Sequence, residues 1–384
     1  MRLLLTACAT TALVASGPLT ATAAGQGPLG TQGPVGGELL TAKPTVVADG
    51  AAPPAVQASA YVVADLDTGS VLAAKAPHAQ LRPASTLKTL TALVLLPRLK
   101  KTDVVTGSPA DAGIIGSKVG VYPGLSYTVD LLFQGMFLAS GNDAVHALCA
   151  HDQGGIPATI QRMNEKAKDI GALDTHVTDP TGLDADGQYS SAYDLALFAQ
   201  AGLSRQDFAK YASTKYTNFP NVGNKGTYQV ANQNKLLFNY AGALGVKTGY
   251  TTLARNTFVG AARRNGHTLV VTMMNAPHGI TEDASNLLTW TFDNYSRLNP
   301  VGTLVKPADE PKTSTQGKNS TEEQPKTGSA RPSRSRTVLN PGQAVQSLAL
   351  RIPVWAYAAP PVMLLGLFLR RPRALRRRSA RGRH

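Results

Sequence analysis

Paired β-strand patterns at both ends of the central region, residues 56–300, constrain the fold more than any other feature of this chain. At its start, "AYVVADLDTGSVLAAKA" has two short apolar runs on either side of Asp67-Thr68-Gly69, which is typical of a β-hairpin. At its end, "NTFVGAA" and "TLVVTMM" are joined through Asn265-Gly266, another hairpin turn. Between them, from about Tyr127 to Ala212, the apolar residues mostly have helical spacing. This order predicts an α/β fold, an antiparallel sheet flanked by helices with a mostly helical subdomain.

The beginning of the chain has the layout of an export signal. Residues 1–23 carry one Arg, an apolar run that is too short to span a bilayer, and a small-residue "ATA" at the end, as a cleaved signal peptide does. Residues 24–55 are rich in Gly, Pro, Ala and Thr without a periodic pattern, which predicts a flexible leader. We therefore expect the mature protein to be exported.

The end of the chain indicates a membrane anchor. Residues 301–351 are mostly Pro, Ser, Thr and charged residues, which predicts a disordered linker. The segment 352–369, "IPVWAYAAPPVMLLGLFL", has no charge and is just long enough for a transmembrane helix. Residues 370–384 contain eight Arg and no acid, and such basic tails stay in the cytoplasm. The central region is thus expected outside the membrane.

The ends of the chain explain its net charge of +14, because the tail and the linker hold most of the excess basic residues. A basic balance of this origin indicates membrane topology, and it does not predict nucleic-acid binding. Cys149 is the only cysteine left after the signal peptide, so no intrachain disulfide is expected. His146, Cys149 and His151 do not share one helical face and lack a fourth ligand nearby. We predict no metal and no cofactor.

Three short elements carry candidate chemistry. In "PASTLKTL", Ser85 and Lys88 stand one helical turn apart on one face, at the start of an amphipathic helix where the dipole favours developing negative charge. Ser140-Gly141-Asn142 forms a tight turn between two helical segments. Lys247-Thr248-Gly249 lies on a predicted strand, where the glycine would let a substrate backbone approach. Each element alone is equally compatible with an N-cap, a turn or an ordinary strand.

The order of the three elements is that of the Ser-x-x-Lys, Ser-x-Asn and Lys-Thr-Gly set of penicillin-binding proteins and class A β-lactamases. Over most of residues 56–300 the chain resembles the D-alanyl-D-alanine carboxypeptidases among the low-molecular-mass penicillin-binding proteins. The resemblance extends to "RMNEKAKDIGALDTHVTDPTGLDADGQYSSAYDLALFA" and to "GVKTGYTTLARNTFVGAARRNGHTLVVTMM". A second Lys-Thr-Gly, residues 326–328, falls in the linker and is interpreted as an accident of composition.

The chemistry needs a base beside the serine, and Lys88 is the natural one, because no His is placed for a triad. Lys247 and partial burial would lower the pKa of Lys88, and Ser140 would relay its proton to the leaving amine. The resemblance implies that Asn142 binds the substrate amide and that the N–H groups of Ser85 and Tyr250 form the oxyanion hole. It also implies peptidoglycan stem peptides ending in D-Ala-D-Ala as substrates and acylation by β-lactams.

The sequence departs from the family in its recognition of the substrate carboxylate. Relatives often carry an Arg just before the closing helix, whereas "NAPHGITEDASNLL" offers only His278 as a cation. The resemblance implies that Lys247 and Thr248 help to bind this carboxylate. Without the Arg, binding of the carboxylate would depend more on Thr248.

Other functions remain open at this stage. The same elements serve endopeptidases, transpeptidases and β-lactamases, although Glu38, Glu165 and Glu282 have no evident loop context for a deacylating base. A non-catalytic penicillin sensor or wall-binding module would also keep Ser85. "QPKTGSA" resembles a sortase signal in which Gln324 replaces the Leu.

Overall fold

One antiparallel sheet forms the centre of the protein. The structure is a computed structural model, and it describes residues 35–43, 46–222 and 225–305. The main sheet is antiparallel, in the order β1-β3-β2-β10-β9-β8, and a short β11 extends the outer edge of β3. Its strands are β1 Val46–Ala48, β2 Ala60–Asp65, β3 Ser70–Lys75, β8 Ala243–Thr251, β9 Arg255–Arg264, β10 His267–Ala276 and β11 Gly302–Thr303. Strand β8 therefore lies at one edge of the main sheet.

The helical part of the chain lies between β3 and β8 in sequence. It includes two small hairpins, formed by β4 Val104–Thr106 with β5 Ser126–Thr128 and by β6 Tyr216–Pro220 with β7 Thr227–Ala231. The helices are α1 Lys88–Leu95, α2 Pro109–Gly113, α3 Val129–Leu138, α4 Asn142–His151, α5 Gly155–Asp169, α6 Ala192–Leu203, α7 Gln206–Ser213 and α8 Leu236–Asn239, with α9 Ile280–Asn294 after the last long strand. The predicted α/β fold with an antiparallel sheet and a helical subdomain is confirmed.

The two faces of the sheet are buried by different helices. Alternate residues of β2 show this, since Val62 packs in the large core shared with the helical subdomain, whereas Val63 packs in a second core with Leu287 of α9. This alternation follows from the two-residue period of a strand. Both hairpin turns are present, and Asn265 and Gly266 have φ values of 51° and 85°, as a type I′ turn requires.

The predicted leader and linker extend too far into the folded region. Strand β1 pairs with β3 within the segment that we expected to be flexible, and Leu40 is fully buried. At the other boundary, β11 pairs with β3 beyond residue 300. A three-residue strand and one buried apolar residue are too short to produce a periodic pattern, so domain boundaries predicted from composition do not include them.

The predicted signal peptide, membrane segment and basic tail lie outside the described residues. Within the described ranges, no helix has both the length and the apolar character needed to cross a bilayer. The prediction of a transmembrane segment at 352–369 therefore stays a prediction.

Candidate active site

Ser85 lies at the mouth of a cleft, in a 3-10 turn formed by Ala84–Leu87 that leads directly into α1. The preceding residue, Ala84, has a φ of 47°, which is uncommon for a residue with a side chain. Thr257 of β9 holds this turn by donating a hydrogen bond to the Pro83 carbonyl at 2.8 Å. The nucleophile candidate is thus fixed between the helix and the sheet.

Lys88 is the first residue of α1, and its side chain is buried with 1% exposure. Its Nζ has three hydrogen-bond partners: Ser85 Oγ at 2.7 Å, Asn142 Oδ1 at 2.8 Å and the Thr181 carbonyl oxygen at 2.6 Å. The predicted proximity of Ser85 and Lys88 is present at hydrogen-bond distance.

The partners of Lys88 determine where its lone pair points once it is neutral. An amide oxygen and a carbonyl oxygen can only accept hydrogen bonds, so Asn142 and Thr181 take both N–H groups of a neutral amine. The remaining lone pair then faces the Ser85 hydroxyl, the only one of the three partners that can donate. This is the arrangement that a general base for Ser85 requires.

The burial of two lysines, Lys88 and Lys247, favours the neutral form of the Lys88 amine. Burial and then the charge of Lys247 hold the pKa of Lys88 well below its ordinary value, against the opposing effect of Asp179 and Asp143. Lys247, on β8, is also 1% exposed, and burial lowers its pKa to about 7. Its Nζ donates to the Thr248 carbonyl oxygen at 2.8 Å. The predicted effect of Lys247 on Lys88 agrees with these pKa directions.

Ser140 and Asn142 come from the turn between α3 and α4. Ser140 has a φ of 58° and lines the cleft with Ser85, but among the described residues no hydrogen bond joins its hydroxyl to Lys88 or Ser85. Asn142 is buried, and its Nδ2 donates to the Ile115 carbonyl oxygen at 2.8 Å. The Asn142 amide therefore positions Lys88, and its oxygen and its nitrogen can each form one further hydrogen bond. The proton relay through Ser140 stays a prediction.

Asp143 ties a loop to the start of α4, a role that sequence reasoning missed. Its fully buried carboxylate accepts backbone N–H bonds from Val119 at 2.9 Å, Gly120 at 2.7 Å and Val121 at 2.9 Å. The same loop provides the Ile115 carbonyl that holds Asn142. Asp143 thereby fixes the amide that orients Lys88.

The structure gives a different reason for Gly249 than the approach of a substrate backbone. A Cβ on Gly249 would lie 2.8 Å from the backbone nitrogen of Ser85 and 2.4 Å from Thr257 Oγ1. Such contacts are too short for real Cβ atoms, so only glycine lets β8 lie against the turn that carries Ser85.

We expect Gly249→Ala to lower the free energy of unfolding by about 1–3 kcal/mol, because the new methyl group must push the Ser85 turn away from β8. Denaturant unfolding measures this change. The matched control is Gly113→Ala, since a Cβ there meets no atom within 4 Å. Equal stability of Gly249→Ala and the control would contradict the close approach.

The cleft beside Ser85 has a volume of about 680 Å³. The predicted residues Ser140, Thr248, Gly249 and Tyr250 all line it, whereas Lys88, Asn142 and Lys247 are buried. Its wall also includes Lys235 and Glu282, neither of which the sequence analysis placed in the site, together with His278. Helix α9 begins next to this wall, which is why Glu282 of its first turn reaches the cleft.

Comparison with known families agrees with this arrangement. The family model described as D-alanyl-D-alanine carboxypeptidase matches residues 47–278. The chain belongs to the D-alanyl-D-alanine carboxypeptidase family. As a member of this family it is a serine-type peptidase, and the resemblance inferred from the three short elements is confirmed.

Individual relatives cover the same part of the chain. D-alanyl-D-alanine carboxypeptidase DacB2 of Mycobacterium tuberculosis is 42% identical over 260 residues, which are 64% of this chain and 86% of that protein. DacA of Escherichia coli is 33% identical, over 67% of this chain and 66% of that protein. A crystal structure of the Mycobacterium tuberculosis D-alanyl-D-alanine carboxypeptidase has 39% identity and a TM-score of 0.63, covering 68% of this chain and 100% of the other. The structure of a Streptomyces DD-transpeptidase has 29% identity and a TM-score of 0.60, covering 63% and 100%.

Proposed function

We propose that this protein removes the terminal D-alanine from peptidoglycan stem peptides that end in D-Ala-D-Ala, through an acyl-enzyme on Ser85. The observation that carries the proposal is the 2.7 Å contact between Ser85 Oγ and Lys88 Nζ, on a lysine whose other two partners only accept hydrogen bonds. Membership of the carboxypeptidase family supports the choice of substrate.

Acylation begins when Ser85 Oγ attacks the carbonyl carbon between the two D-alanines and gives its proton to neutral Lys88. The tetrahedral intermediate collapses with cleavage of the C–N bond, and the proton passes from Lys88 through Ser140 to the departing amine. D-alanine leaves, and the peptide remains as an ester on Ser85. Water then attacks this ester, the C–O bond breaks, and Ser85 regains its proton.

The remaining site residues bind the substrate in this proposal. The N–H groups of Ser85 and Tyr250 form the oxyanion hole, which the close approach of Gly249 to the Ser85 nitrogen supports. Asn142 binds the substrate amide, and Thr248, which lines the cleft, donates a hydrogen bond to the terminal carboxylate. Penicillins acylate the same serine, because their strained amide occupies the place of the D-Ala-D-Ala bond.

The proposal places the enzyme outside the cell membrane. Export through the signal peptide at 1–23 and anchoring by the uncharged segment 352–369, with the Arg-rich tail 370–384 in the cytoplasm, are supported by the sequence alone. This location gives the cleft access to peptidoglycan.

Two measurements on the full chain test the proposed function. We expect release of free D-alanine from a pentapeptide ending in D-Ala-D-Ala, and covalent labelling by a fluorescent penicillin. Labelling without D-alanine release would favour the sensor function, and rapid release of hydrolysed penicillin would favour a β-lactamase.

Transpeptidation is a second candidate, because one similar structure is a DD-transpeptidase. Its acyl-enzyme would pass the peptide to an amine instead of water. An excess of a D-amino acid acceptor distinguishes transpeptidation from hydrolysis when the products are separated by mass. A transpeptidase forms the exchanged peptide at the expense of the hydrolysed one.

A further inference from the structure

The cleft has few charged side chains with which to bind the carboxylate of a substrate. Among its lining residues the acidic or basic side chains are Lys235, His278 and Glu282. A carboxypeptidase acts at a free carboxyl end, and an anion that leaves water needs a cation or several N–H donors in the site. The basic side chains that could supply such a cation are Lys235, His278 and the two buried lysines.

The two buried lysines are poorly suited to this task. Lys88 cannot hold a proton for the carboxylate and also accept the proton of Ser85. Lys247 has a pKa of about 7 through burial, so a large part of it is neutral at neutral pH. Its Nζ also donates to the carbonyl oxygen of Thr248.

Hydrogen bonds made by its sequence neighbours fix the backbone of Lys235 beside the turn that carries Ser140. Gln233 donates hydrogen bonds from its backbone nitrogen to the Leu138 carbonyl at 3.0 Å and from Nε2 to the Ala139 carbonyl at 3.1 Å, directly before Ser140. Asn234 is buried, and its Oδ1 accepts the N–H of Leu236 at 3.1 Å, which fixes the start of α8. The backbone of Lys235 thus has a defined place on the cleft wall.

The side chain of Lys235 is exposed and lines the cleft, and within the described part of the chain no ion pair or hydrogen bond involves its ammonium group. A lysine offers a carboxylate three N–H donors on a flexible stem, whereas an imidazole ring offers at most two in fixed directions. His278 also stands four residues before Glu282, which lines the same cleft and would repel a carboxylate.

We propose that Lys235 is the cation that binds the terminal carboxylate of the substrate. The inference rests on the proposed carboxypeptidase function and names the residue that sets its preference for a free carboxyl end. Thr248 then provides a neutral hydrogen bond, and Lys235 takes the place of the arginine that this chain lacks before α9.

The test compares Lys235→Met with Lys235→Arg and His278→Asn, using one peptide that ends in D-Ala-D-Ala and the same peptide with a C-terminal amide. We expect Lys235→Met to raise KM about tenfold for the free acid, with kcat little changed, and to leave the amide peptide almost unaffected. Lys235→Arg should keep most of the preference. The matched control is Lys168→Met on the exposed face of α5, and thermal unfolding verifies that each variant is folded.

An unchanged preference in Lys235→Met, or its loss in His278→Asn instead, overturns the inference. Penicillin provides a readout that does not need D-alanine release, because it also carries a carboxylate. Lys235→Met should slow acylation by penicillin about tenfold while acylation by the penicillin methyl ester stays unchanged. A wild type that is acylated but releases no D-alanine would refute the proposed function alone, and equal slowing for acid and ester would refute the role of Lys235.

Discussion

Replacing Ser85 with alanine is expected to lower kcat for D-alanine release by at least about 10⁴-fold, because the variant loses the atom that forms the acyl-enzyme. The cleft, the Lys88 contacts to Asn142 and Thr181, and the neighbouring N–H groups all stay in place. The loss is therefore expected in kcat far more than in KM. Initial rates of D-alanine release from the pentapeptide measure it, and covalent penicillin labelling should disappear in parallel.

Ser213→Ala is the matched control for Ser85→Ala, because Ser213 is an exposed serine at the end of α7 that does not line the cleft. We expect this variant to keep wild-type rates. If Ser85→Ala released D-alanine at more than about one hundredth of the wild-type rate, the acyl-enzyme on Ser85 would be refuted.

Lys88→Arg is expected to lower kcat/KM by about 10³-fold, because a guanidinium keeps its proton and cannot act as a base. In the wild type, kcat/KM should rise with pH as Lys88 loses its proton. The midpoint should lie well below 10.5, since burial and Lys247 lower the pKa of Lys88. In Lys88→Arg this rising limb should be absent. Rates measured between pH 5 and pH 10 give both profiles.

The control for Lys88→Arg is Lys168→Arg on the exposed face of α5. It should retain both the wild-type rate and the rising limb. A rising limb that survives with the same midpoint in Lys88→Arg would mean that a different group is the base.

The elements that carry their own local signal were predictable from sequence. Strand β8, Ala243–Thr251, contains the Lys247-Thr248-Gly249 that was predicted to lie on a strand, and Asn265-Gly266 forms the turn that its residue types require. The start of α4 at Asn142 follows from the Gly and Asn that interrupt the helical pattern. These features depend on short-range chemistry, so one sequence suffices to find them.

The contacts that complete the site depend on pairing across the fold, and the sequence could not supply them. Thr181 and Ile115 contribute only carbonyl oxygens, which every residue has, so no residue type marks them. Asp143 is an acid in the first turn of a helix, a common position that does not by itself indicate a role in the site. Lys235 reaches the cleft because Gln233 is bonded to the end of α3, a contact between segments that are distant in the chain.

The two buried lysines also link folding to the proton balance of the molecule. In the unfolded chain both side chains bind a proton up to about pH 10.5, whereas Lys247 in the folded protein releases it near pH 7 and Lys88 also has a lowered pKa. The unfolded chain therefore holds more protons between these values, and unfolding takes protons up. The stability cost of burying Lys247 is complete below about pH 7 and disappears as pH rises toward 10.5, and Lys88 adds a cost of the same sign below its own lowered pKa. A titration of unfolding free energy against pH would detect it as stability gained on the alkaline side.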